Sequence, residues 1–170
     1  MTKSIPSVSV NYACNGSSTK ANEMGMRAMQ ERAYEKRGEQ YLLIKSPPAS
    51  GKSRALMFIT LDKLYNQGVK KAIIVVPEKT IGASFNNEPL TQYGFWADWE
   101  VAPQWNLCNA PGDDNGGKVG AVKTFLDSTD RVLICTHATF RFAVDRFGVE
   151  AFDGCLIAVD EFHHVSANSD

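Results

Sequence analysis

Long apolar runs are missing from this 170-residue chain. Nothing approaches the roughly eighteen uninterrupted apolar residues that a bilayer-spanning helix needs, and the N-terminus has no signal-peptide apolar stretch. The sequence therefore reads as cytoplasmic, with no membrane partner. Net charge is almost absent as well: 18 Lys+Arg stand against 19 Asp+Glu, for a formal charge of −1. No global field draws nucleic acid, so any such contact must be a local patch. Cysteine is sparse, and Cys14, Cys108, Cys135 and Cys155 include no Cys-x-x-Cys pair, which argues for reduced core thiols over a disulfide or metal framework. The three histidines, His137, His163 and His164, lack the spacing of a zinc site.

What is present is the composition of a soluble globular domain, 44% hydrophobic and 22% charged, long enough to bury a real core. Residues 1–21 are rich in Ser, Asn and Thr without a sustained period and read as a mobile or extended leader; residues 22–170 read as one folded domain. A helical pattern starts near Asn22, with Met26, Met29, Ala33 and Tyr34 at three- and four-residue steps, and ends at Gly38. Tyr41-Leu42-Leu43-Ile44 reads as a buried strand, and the next helix runs from Lys52 to about Asn66, closed by Gly68. Strands are expected at Ala72 to Val76, Val132 to Cys135 and Leu156 to Val159, with helices through Val122 and Phe125 and from Ala138 to Phe147. A further strand is placed between Glu100 and Cys108, and an exposed loop at Pro111 to Gly117. Near-continuous β-branched runs separated by helices imply an α/β fold in three layers, with a mainly parallel sheet covered on both faces.

Two short segments carry chemistry. The stretch Ser46 to Ser53, SPPASGKS, follows the first strand and opens a helix, which is the setting that makes a phosphate loop credible, because backbone N–H groups and a helix N-terminus then face the phosphates. Gly51 lets the backbone come close to a triphosphate. Lys52 places a charge on its β/γ-phosphates, and Ser53 offers a hydroxyl to Mg²⁺. The second segment, Asp160-Glu161-Phe162-His163-His164, ends the last apolar strand. Asp160 is suited to holding the magnesium through water, and Glu161 to orienting or deprotonating an attacking water. ATP and Mg²⁺ are the expected cofactors, clasped between Lys52 and Ser53 on one side and Asp160 on the other.

With these residues in place, the chain from about Met24 onward resembles the first RecA-like domain of superfamily 2 helicases, in the DExH group that includes the type III restriction enzyme motor subunits. Gly51-Lys52-Ser53 looks like motif I, with small-residue substitutions such as Ser46 earlier in the loop, and Asp160-Glu161-Phe162-His163 matches motif II. The resemblance implies a P-loop NTPase fold and an ATP hydrolase of helicase or translocase type. It implies nucleotide contacts from Pro48, Ala49, Ser50, Gly51, Lys52, Ser53 and Arg54. Met26-Arg27-Ala28-Met29-Gln30 is similar to the stretch upstream of motif I, which brings Arg27 and Gln30 to the nucleotide. An amide can donate and accept at once, which suits an adenine edge, although an ordinary solvated helix position is the competing reading of Gln30. Met29 stands where that stretch has tyrosine.

Pro77-Glu78-Lys79-Thr80 resembles motif Ia, and Thr136-His137-Ala138-Thr139 a later segment that holds a nucleic-acid strand by its phosphates. Lys79, Thr80, Thr136, His137 and Thr139 are the implied contacts, DNA rather than RNA the expected partner; helix capping by Thr80 and Thr136 is compatible with that. His163 would couple ATP state to the nucleic-acid surface. The resemblance further implies a second RecA-like domain with an arginine finger, absent from this chain, which ends nine residues after Glu161. The expectation is thus a fragment of a larger motor that binds nucleotide and hydrolyses it poorly alone. A nucleotide-dependent switch or a non-motor P-loop kinase is the alternative, though no arginine-rich lid segment is evident.

Overall fold

The computed structural model describes residues 7–9, 21–47, 50–110 and 116–160. These fall into two compact units, the first Met1–Gln67 with Glu88–Trp99, the second Gly68–Asn87 with Glu100–Asp170.

The first unit contains strands β1 (Ser7–Ser9) and β2 (Leu43–Lys45) and helices α1 (Ala28–Glu35) and α2 (Lys52–Asn66). β1, within the segment read as leader, pairs parallel to β2 in the register Val8↔Ile44. β2 is shorter than expected and only half-buried, and Tyr41, read as the start of a buried strand, is exposed. The helix expected from Asn22 begins six residues later, because Asn22 Oδ1 accepts the N–H groups of both Met24 and Met26, at 2.9 Å each. That side chain builds a turn in place of a helical start. The bounds of α2 agree with the sequence pattern, and Ala55, Met57, Phe58, Ile59, Thr60, Leu61 and Leu64 are buried along it.

α1 packs on α2 through an aromatic core and a polar clasp. Tyr34, Phe58 and Phe95 meet edge-on or tilted, with centroids 4.8–6.5 Å apart. Rings in these arrangements add about 0.5–1.5 kcal/mol per pair beyond their area. Beside them, the Asp62 carboxylate accepts from Tyr34 Oη (3.2 Å), Asn66 Nδ2 (2.8 Å) and Gln67 Nε2 (2.7 Å), and pairs with Arg37 Nε (3.2 Å). Arg37 also lies over the Tyr34 ring. A charge buried this far persists only with such partners.

The second unit is built on β3 (Lys71–Val76), β4 (Val132–Thr136) and β5 (Cys155–Val159), a parallel sheet in the order β4-β3-β5. The central strand is buried from Ala72 to Val76, as a two-sided parallel strand must be. Helices α3 (Gly117–Asp127) and α4 (His137–Phe147) complete the unit. The strand expected between Glu100 and Cys108 is absent: Pro103–Trp105 and Leu107–Asn109 form 3-10 turns, with one isolated parallel bridge from Asn106 to Ile134. Pro103 starts the first turn, and Asn106 Oδ1 accepts from Cys108 N to start the second, a local competition that a ladder loses. Cys108 and Cys135 are buried and Cys155 half-buried, in keeping with core thiols; Cys14 lies outside the described residues.

Parallel register aligns the strand ends: Val76 faces Thr136, and Val75 faces Val159. The segments after β3, β4 and β5 therefore emerge at one rim of the sheet, where open α/β folds place ligands. No helix among the described residues is long and apolar enough to cross a membrane.

Candidate functional site

In the first unit the loop after β2 ends at Gly51, the N-cap of α2, in the left-handed region at φ 86°. An L side chain is strained there, and a Cβ would lie 2.5 Å from Gln30 Nε2. Glycine at this position is thus demanded by both backbone and contact. The Gly51 carbonyl takes the N–H of Ala55 (3.1 Å) and the amide of Gln30 (2.9 Å). Gln30 is held from its other end by Arg27, whose backbone N–H donates to Gln30 Oε1 at 2.7 Å. Gln30 is 2% exposed, so it is no solvated helix residue; its amide ties the start of α1 to the start of α2. Each amide atom retains one further hydrogen-bonding position. The Arg27 guanidinium reaches the same corner, 3.9 Å from the position a Gly51 Cβ would take.

Lys52 and Ser53 open α2, half-buried, and Ser50 before them is buried. The first turn of α2 contains no acidic residue, so no carboxylate of that turn offsets the positive end of the helix. Arg54 follows. Its guanidinium pairs with Glu88 at 3.1 Å and lies 5.3 Å from the centre of the Tyr93 ring. Sequence reasoning missed Glu88 and Tyr93, which stand in a stretch without periodic signal. Pro48 and Ala49 lie outside the described residues.

In the second unit Asp160 follows β5 at the strand rim. Its N–H donates to Val75 O at 2.8 Å, extending the pairing with β3, and its side chain is buried at 4% exposure. His137, the first residue of α4, has Nε2 3.0 Å from the Asp160 carbonyl oxygen; a carbonyl only accepts, so that nitrogen carries the proton. The segment after β4 is thereby linked to the backbone of the acidic strand end, a contact that sequence reasoning did not foresee. Thr136 is the N-cap of α4, its hydroxyl accepting from Thr139 N at 3.2 Å, and the two hydroxyls are 3.3 Å apart. Both threonines are buried, so these side chains set the start of the helix and do not stand at the surface. Lys79 and Thr80 are exposed on a 3-10 turn whose N-cap is Glu78, so Thr80 is not the capping residue. Glu161, His163 and His164 lie outside the described residues.

A left-handed glycine ahead of a helix opened by Lys and Ser, and a parallel sheet with an acid at one strand end, define a P-loop α/β domain of the RecA-like class. The chain belongs to the family described as "Type III restriction enzyme, res subunit", whose model matches residues 23–170. It is 58% identical over 161 residues to the protein named "Putative ATP-dependent helicase YeeB" of Bacillus subtilis (strain 168). That alignment takes in 95% of this chain and 26% of the relative, so the chain spans about a quarter of the relative's length. No solved structure matches.

Proposed function

We propose that this chain is the ATP-binding lobe of a nucleic-acid-dependent ATPase, of helicase or DNA-translocase type, which works with a second RecA-like lobe. The observation that carries the reading is the left-handed Gly51 in front of Lys52 and Ser53 at the start of a 15-residue helix. Absence of a Cβ, helix-start N–H groups and a lysine together suit a polyphosphate.

In this reading Lys52 holds the β/γ-phosphates, and Arg27, Arg54, Ser50 and the loop residues Pro48 and Ala49 surround the nucleotide. Gln30 meets the base through its remaining amide positions. Mg²⁺ suits the hydroxyl of Ser53 and the carboxylate of Asp160, both hard oxygen donors; when bound it neutralises charge developing on the phosphates. Glu161 orients the attacking water and takes its proton. Lys79 and Thr80, exposed beyond β3, are suited to nucleic-acid phosphates, with DNA favoured over RNA. His137 and the buried Thr136 and Thr139 shape the neighbouring segment, and His163 couples it to ATP state. Turnover depends on an arginine from the second lobe, worth about three to five orders of magnitude where one is supplied in trans. Closure of two lobes on ATP then steps the strand-holding loops along nucleic acid.

The test is Lys52→Ala, followed by titration calorimetry with Mg-ATP and far-UV circular dichroism. Retained secondary structure with lost ATP binding is expected. Wild-type affinity in the variant refutes the reading.

A further inference from the structure

Resting on the nucleotide reading above, we infer that Tyr93 is the stacking platform for the base, held in place by Arg54 and by a braced loop that brings it beside the start of α1. Met29, next to Gln30, is 2% exposed, buried in the core and without a ring to offer. Gln30 supplies hydrogen bonds at an edge of the base, and the ring on α1, Tyr34, is buried at 6% exposure.

Tyr93 is held beside the segment that leads into α1 and beside Arg54. The loop 88–99 is closed by the bridge between Glu88 and Trp99, whose N–H and carbonyl groups are exchanged at 2.9 and 3.0 Å. Inside it Asp98 Oδ1 accepts both the N–H (2.9 Å) and the hydroxyl (2.8 Å) of Thr91, fixing the 3-10 turn Leu90–Tyr93. Two glycines then let this turn touch the segment that leads into α1. Gly94, at φ 105°, is so close to the Glu23 carbonyl oxygen that a Cβ would collide with it, and a Cβ on Gly25 would lie 2.6 Å from Tyr93 Cβ. Side chains at either position would push the loop off. The result is a rigidly mounted ring, 53% exposed, two residues along the chain from Arg27 at its Gly25 contact.

Its other neighbour is Arg54, which follows Ser53. The guanidinium is anchored by Glu88 and lies 5.3 Å from the ring centre. One residue thus joins the turn at the phosphates to the aromatic ring. A nucleotide with its phosphates at Lys52 and its base edge at Gln30 meets a ring and a guanidinium plane, the two surfaces on which bases stack. Stacking is tolerant of base identity, so Tyr93 contributes affinity and Gln30 contributes choice.

The experiment compares wild type, Tyr93→Ala and Tyr93→Phe by titration calorimetry with Mg-ATP, Mg-GTP and magnesium tripolyphosphate, which has no base. Tyr93→Ala is expected to weaken ATP and GTP by a similar factor of about ten or more, the range that loss of a base-stacking ring produces. Tripolyphosphate affinity stays unchanged, and Tyr93→Phe binds like wild type. Unchanged ATP affinity in Tyr93→Ala, or an equal loss for tripolyphosphate, overturns the inference while leaving the phosphate-loop reading standing. A wild-type chain that binds neither ATP nor tripolyphosphate removes both.

Discussion

Asp62 offers the sharpest test of how helices α1 and α2 are held together, because its carboxylate joins them through four donors and is only 8% exposed. In Asp62→Asn the shape is kept and one acceptor oxygen becomes an NH₂ group. The amide can keep its oxygen toward Tyr34 and Asn66, since the Tyr34 hydroxyl is the donor with least access to water. The NH₂ group then faces Gln67 and Arg37. Both of these reach solvent, with the Arg37 side chain 39% exposed, and part of their loss is recovered there. Charge-assisted bonds of this kind contribute about 1.5–3 kcal/mol each before such recovery, which leaves a net cost of about 2 kcal/mol. For a chain of this size that is a melting temperature lower by about 4–8 °C.

The same residue carries a signature in pH. Burial pushes the Asp62 carboxyl upward, but hydrogen bonds from Gln67 and Asn66, the charge of Arg37 and the Tyr34 hydroxyl outweigh it, and its pKa lies below the ordinary carboxylate value. A carboxyl held lower in the folded state than in the unfolded chain adds stability above the unfolded value of about 3.9 and loses it as pH falls through the folded value. Wild type and Asp62→Asn should therefore differ fully at pH 7 and converge as the pH is taken below about 4. Urea or thermal unfolding of both proteins at pH 7, 5, 4 and 3 measures the gap. Equal stability at pH 7, or a gap that widens on acidification, refutes the account of the clasp.

Two further substitutions test single contacts. Gly51→Ala should cost about 1–3 kcal/mol of stability through backbone strain and weaken ATP binding more than tenfold by displacing Gln30 from the loop; thermal melts and calorimetry measure the two effects, and a variant that melts and binds like wild type refutes the demand for glycine there. Thr136→Ala should cost about 1 kcal/mol through loss of the α4 cap, read by urea unfolding, and an unchanged midpoint shows that Thr139 N finds another partner.

Short-range chemistry was legible in the sequence and contacts between distant segments were not. α2 matched its pattern from Lys52 to Asn66, and β3, β4 and β5 fell within one residue of the apolar runs that mark them, because each is decided by its own periodicity and by a strong stop such as Pro77. The start of α1 was misread because the methionine spacing of residues 24–29 looks helical, whereas the Asn22 side chain, invisible to a periodicity count, claims the backbone N–H groups first. The stretch from Glu100 to Cys108 failed for a related reason. Its apolar content suggested a strand, and two local turn-formers, Pro103 and Asn106, decided otherwise.

The candidate site divides along the same line. A phosphate loop needs a glycine, a lysine and a hydroxyl on consecutive residues, since one turn of backbone must wrap one anion, and so the chemistry is written in adjacent letters. A base is met by whatever the tertiary fold brings alongside. Gln30 reaches Gly51 across 21 positions of chain, and Arg54 reaches Glu88 across 34. The two glycines that seat Tyr93, Gly25 and Gly94, are separated by most of the first unit and share no motif. Each taken alone looks like an ordinary turn residue. Only their mutual contact gives the ring a fixed place, so Gly51, Lys52, Ser53 and, by resemblance, Gln30 could be picked out of the sequence, whereas the seat of Tyr93 shows only in the fold.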